Sequence, residues 1–192
     1  MENQLSQEKY LIRRKVFTFA GAKFHVYDTN GQLVLFSKLK AFKLKEDIRL
    51  YTGEDMTTQL LNIQARKVID FSGTYDVTDT ITGDKVGALR RRGLKSMLKD
   101  EWVILDPNDV EIGKIMEDKM LLAVLRRLLT SLIPQSYDIF IGSTLVSEFK
   151  QNFNPFVIKL NLDFSKDNGQ LFDKRLGLAA GILLCAIDGK QG

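Results

Sequence analysis

The chain has 192 residues, 44% apolar and 27% charged, enough for one domain, 1–192, with a substantial core. Its 28 Lys and Arg against 24 Asp and Glu give a net charge of +4, a mild excess that leaves nucleic acid, anionic lipid or no charged partner open. One cysteine excludes an intramolecular disulfide, and one histidine beside one cysteine argues against a His/Cys zinc site.

Residues 1–7 read as a flexible lead-in, and the first eight hold no apolar stretch of the secretory kind. A cytoplasmic protein without a cofactor is the expectation. From Tyr10 to Phe164 the dominant period is two. Phe42, Leu44, Ile48 and Leu50 fall on one face of their segment, and Lys43, Lys45, Asp47 and Arg49 on the other. The same alternation returns in Leu61–Arg66 and in Ile158–Phe164. Such one-sided strands belong to antiparallel sheets.

Between them lie hairpin signals. Val26–Val34 carries Asn30-Gly31 at its tip, and Val77–Gly87 turns through Thr82-Gly83-Asp84. Ile104–Gly113 turns through Pro107-Asn108-Asp109, and Ile139–Val146 through Gly142-Ser143. Starts at 26, 77, 104 and 139 are too uneven for a solenoid or propeller.

Two segments break the pattern. Asp118–Ile133, stopped by Pro134, reads as a helix with Lys119, Arg126, Arg127, Thr130 and Ser131 in one sector. It suits a helix packed outside the sheet or plugging a barrel end, or one lying in a membrane interface. The second, about 173–188, has Asp173 as N-cap and Asp188-Gly189 as stop; from Leu176 to Ile187 its only polar group is the Cys185 thiol. Twelve residues span only about 18 Å, short of the roughly 30 Å of a bilayer core, so a buried helix is expected and no transmembrane span. Gly177 and Gly181 make a small-xxx-small pair that suits close packing, with Leu176, Leu184 and Cys185 as further contacts of a central structural helix. An eight-stranded barrel fills itself with side chains, so a central helix demands a larger one.

Candidate chemistry is sparse. Between Lys85 and Lys99 stand Lys85, Arg90, Arg91, Arg92, Lys95 and Lys99 with no acidic residue among them. If Leu89 points inward, Arg90 and Arg92 face outward and Arg91 needs a bulge or a strand end. Arg90, Arg91, Arg92, Lys95 and Lys99 are the candidate anionic-ligand residues; a solvated basic face is the plain alternative. No base-stacking aromatics interleave, which disfavours nucleic acid. Asp163–Gly169 has the look of a calcium loop, but its glycine is one position late and Lys174 stands where a bidentate glutamate belongs, so a solvated turn is expected. His25 reads as a surface or half-buried strand residue, and Cys185 as a small hydrophobe. Neither a nucleophile elbow, a P-loop nor a dinucleotide glycine fingerprint is present, so the chain reads as no enzyme.

Taken in order, Tyr27-Asp28-Thr29-Asn30-Gly31, Tyr75-Asp76-Val77-Thr78-Asp79, Gly87–Arg92, Trp102–Asp106 and the apolar helix Asp173–Asp188 resemble the tubby C-terminal-like fold. Within it, the chain is most similar to the LURF-one-related group, with phospholipid scramblases as more distant relatives, over roughly residues 8 to 188. The resemblance implies a twelve-stranded antiparallel barrel threaded by the C-terminal helix. Tubby domains bind phosphoinositides on a basic surface and scramblases are membrane-associated, so it implies an anionic phospholipid or phosphoinositide-like headgroup as a partner and a peripheral place at a membrane. The chain lacks the scramblases' proline-rich arm and cysteine cluster, which argues against a stable anchor. The alternative is a scaffold whose partner is another protein.

Overall fold

The computed structural model describes residues 5–17, 21–39, 47–66, 73–92, 101–117, 135–152 and 157–187. They form β1 (Lys9–Phe17), β2 (Gly21–Tyr27), β3 (Leu33–Leu39), β4 (Asp47–Tyr51), β5 (Gln59–Ala65) and β6 (Thr74–Asp79). There follow β7 (Lys85–Arg91), β8 (Glu101–Leu105), β9 (Glu111–Glu117), β10 (Ser136–Ile141), β11 (Thr144–Asn152), β12 (Ile158–Asp163) and α1 (Lys174–Ile187). Each strand pairs antiparallel with the next in sequence, and β12 returns to β1 through Lys9↔Asp163, Tyr10↔Leu162 and Ile12↔Leu160. The ring is closed, so the barrel presents no edge strand. The outer helix expected over 118–133 lies outside the described residues.

Alternation decides which way each strand faces. Ile48 and Leu50 of β4, Leu61 and Ile63 of β5, and Leu160 and Leu162 of β12 are buried, while Arg49, Gln64 and Asn161 face out. The four hairpins fall where the turn residues put them, and in three of them aspartate is the device. Asp28 Oδ1 accepts the amides of Asn30 at 2.9 Å and Gln32 at 2.8 Å. Asp106 Oδ1 does the same for Asn108 and Val110, and Asp79 Oδ1 for Ile81. A carboxylate at the strand end thus satisfies the amides that the turn takes out of the ladder.

Helix α1 starts at Asp173, whose Oδ1 accepts the Arg175 amide at 2.9 Å. Every residue from Leu176 to Ala186 is buried. The helix touches β12 and β1 and also β7, six places away around the ring. A Cβ added at Gly177 would stand 2.5 Å from the Phe164 ring, and one at Gly181 2.7 Å from Ile12 Cδ1. These two glycines therefore set how closely β1 and β12 approach the helix. Both helix ends are tied to the strands. Arg175 donates to Asp79 Oδ2 at 2.8 Å and to Asp173, and the buried Arg14 of β1 donates to the Cys185 carbonyl at 2.6 Å. The second bond satisfies one of the carbonyls a helix leaves open at its C-terminus and sets a cation at the negative end of its dipole.

Candidate functional site

Two basic faces exist on the barrel wall, and their electrostatics differ. The first is the run in and after β7. Leu89 is fully buried, so Arg90 and Arg92 do share the outer face and Arg91 sits at the strand end. Arg90 Nη2 lies 3.6 Å from Glu111 Oε2; Arg92 donates to Glu111 Oε1 at 3.1 Å and to Glu101 Oε1 at 2.9 Å. Beside them Lys85 donates to Asp109 at 2.7 Å and stands 3.3 Å from Asp76, while Arg66 donates to both of those aspartates. The Arg66 guanidinium and the Lys85 ammonium hold the Asp109 carboxyl below the usual carboxylate range. Each exposed pair contributes little to stability, but together Arg66, Lys85, Arg90 and Arg92 face Asp76, Glu101, Asp109 and Glu111 with no net charge. Arg91 lies near Tyr75, whose hydroxyl burial pushes up against the opposing pull of that cation. Lys95 and Lys99 lie outside the described residues.

The second face is assembled only by the ladder. Across β2, Lys23 lies directly opposite Lys15 of β1 on one side and Lys38 of β3 on the other. Two residues back along β1, Arg13 lies opposite Lys159 of β12. Ile12, Arg14, Phe24, Leu39 and Leu160 point inward and are buried, so all five cations stand on the outer wall. Lys15 and Lys38 are exposed; Arg13, Lys23 and Lys159 are half-buried. Among the described residues a single carboxylate approaches this row, Glu54, 3.9 Å from Lys23 Nζ. Arg13 lays its guanidinium over the Tyr27 ring, 5.9 Å from the centroid.

His25 lies beside this row and is more buried than a lone strand histidine was expected to be, at 5% exposed. The reason is the β4–β5 turn, which brings Glu54 Oε1 to 3.1 Å from His25 Nε2, and Phe36, directly opposite on β3, whose ring packs edge-on at 5.1 Å. The calcium-like loop is a turn: Asp163 Oδ1 accepts the Ser165 amide and its other oxygen pairs with Lys9, while Asp167 accepts the amides of Leu171 and Phe172. Among the described residues no group of His, Cys, Asp and Glu could hold a metal ion. Cys185 is buried and lines a cavity of about 30 Å³ with Gln135, Tyr137, Gln151, Ile158, Leu160 and Leu184. That is room for a water molecule, not a lipid chain.

Sequence reasoning finds the first face because its charges are contiguous and misses the second because positions 13, 15, 23, 38 and 159 meet only through strand register. The available signal is cations two apart on one strand face, as in Arg13 and Lys15, once Ile12 is known to point inward. Arg14, hidden between those cations, is missed for the same reason.

A closed twelve-stranded antiparallel ring followed by a C-terminal helix defines a class of β-barrel domain. The LURP-one-related family model matches residues 8–171, and the chain belongs to that family. The match ends three residues before α1 begins. Comparison with curated proteins and with solved structures finds no match.

Proposed function

We propose that the chain is a non-enzymatic barrel domain that binds the anionic headgroups of a lipid surface through basic side chains on its outer wall. The observation that carries this reading is where space and charge lie. The cavity beside Cys185 offers about 30 Å³, room for a water molecule and not for a headgroup, while the chain carries an excess of cations that suits recognition on the outside. Carboxylates at the strand ends are committed to backbone amides, as at Asp28, Asp79, Asp106 and Asp167, which suits turn building rather than proton transfer. Among the described residues no helix is long and apolar enough to cross a membrane, so attachment by this route is peripheral.

Co-sedimentation of the full chain with neutral and anionic vesicles at two salt concentrations tests the proposal. Binding that needs anionic lipid and weakens with salt is the expected result. No binding at low salt overturns it. A protein-binding scaffold would then be the working answer, a reading favoured by the pairing of Arg90 and Arg92 with Glu101 and Glu111.

A further inference from the structure

We propose that the membrane-docking surface is the outer face of β12, β1, β2 and β3, formed by Lys159, Arg13, Lys15, Lys23 and Lys38, and that it reads the charge density of the bilayer rather than the shape of one headgroup. This rests on the anionic-lipid reading above and names its site. Four observations carry it.

First, the face is charged without being neutralised. Among the described residues five cations meet one glutamate, which is itself shared with His25, whereas on the β7–β9 side Arg66, Lys85, Arg90 and Arg92 each lie against a carboxylate. Second, the arrangement is unfavourable by itself. Lys15, Lys23 and Lys38 stand directly opposite one another on adjacent strands, and like charges so placed repel. An anionic surface laid across them removes that repulsion.

Third, the geometry is that of a wall. Four adjacent strands at ~4.8 Å spacing carry the row over about 14 Å on the outside of a barrel. Fourth, among the described residues this face presents no cluster of donors shaped to grip one phosphate. The strands β1 and β2 are paired on both sides, so their ladder amides are engaged. The fork-shaped donor of the row, Arg13, is laid over Tyr27 with its Nε buried. The others are lysines, flexible point charges that follow a diffuse field and do not select a ring of hydroxyls.

The test uses the full chain and vesicles of phosphatidylcholine with increasing phosphatidylserine. Reversing two lysines, Lys15→Glu with Lys38→Glu, is expected to weaken partitioning on the order of a hundredfold or more while leaving circular dichroism native and the melting midpoint no lower than the parent's. Arg90→Glu with Arg92→Glu is expected to leave partitioning within a few-fold of the parent, and Arg90→Gln with Arg92→Gln repeats that test without reversing charge. Excess soluble inositol phosphate is expected not to displace the bound protein, and vesicles of equal charge carrying phosphatidylinositol or phosphatidylserine to bind alike.

If the parent chain binds anionic vesicles but the lysine double variant binds equally well, the assigned face is wrong and the lipid reading stands. Stoichiometric displacement by inositol phosphate would overturn the charge-density claim in favour of a headgroup pocket. Tighter binding of a labelled oligonucleotide than of anionic vesicles at equal salt would overturn the choice of a membrane. If the parent binds no anionic vesicle at low salt, the lipid reading itself fails.

Discussion

Lys38 and Arg14 illustrate opposite uses of a positive charge. Lys38 is exposed and faces Lys23, so Lys38→Glu converts a repelling cross-strand pair into an attracting one. It should stabilise the fold by about 0.2–1 kcal/mol in urea titration while weakening binding to anionic vesicles. Stability and binding moving in opposite directions is the mark of a site kept for function; a loss of stability would contradict the repulsion argued here. Arg14 is buried, and desolvation pulls its guanidinium below its usual range. Its bond to the Cys185 carbonyl compensates, so Arg14→Ala should cost about 1–3 kcal/mol, read from the thermal melt, by removing that charge-assisted bond. Gly181→Leu should cost about 1–3 kcal/mol or more by the same readout, since even a Cβ there meets Ile12 and Leu162. The spacing of Gly177 and Gly181 was legible in the sequence because a small pair in an apolar helix has few other uses. Arg14 was not, because Arg13, Arg14 and Lys15 look alike until the strand has an inside.

Among the elements, the hairpins were the most legible. Their signals are local: an aspartate ends the strand and accepts the turn's own amides, as Asp28 and Asp106 do. The partners of Arg90 and Arg92 were not, since Glu101 and Glu111 arrive from the next two strands. Helix α1 shows what an element adds to the core. Leu176, Leu178, Ile182, Leu183 and Leu184 are all buried, and at about 2 kcal/mol each their burial is comparable to the whole stability of an ordinary domain. Removing residues 176–192 should therefore abolish the cooperative unfolding transition, as circular dichroism would report; a soluble, cooperative truncated chain would contradict this.

The tie at the helix start adds a pH dependence. Burial pushes the Asp79 carboxyl up, but the Ile81 amide, the Arg175 guanidinium and the Thr82 amide outweigh it and hold the group below the usual carboxylate range. A carboxyl depressed in the folded state contributes stability above its unfolded pKa and loses it as pH falls through the folded value. Asp79→Asn should thus lower the urea midpoint at neutral pH, and the difference from the parent should shrink below about pH 4.

At the scale of the molecule, an overall charge of +4 says little about binding, because it sums one wall whose arginines lie against carboxylates and another where five cations meet one described glutamate. The row Lys159, Arg13, Lys15, Lys23, Lys38 exists only once the ring has formed, which is why a linear scan for basic runs passes over it. The fold class, by contrast, was readable from the period of two and the turn spacing, and the family match over residues 8–171 agrees with it.

The seam between β1 and β12 carries a kinetic consequence. Lys9 finds Asp163 only after β2 to β12 have all been synthesised, and α1, which packs on both strands of that seam, follows later still. Neighbouring hairpins can form early, but contacts of such long sequence separation are slow to close. Until they do, β1 is an open edge and the apolar faces of a dozen strands are exposed, the condition in which chains aggregate. Ring closure thereby waits for β12 and α1, and conditions that slow the arrival of residues 158–187 should lower the yield of soluble protein more than the native state's stability would suggest.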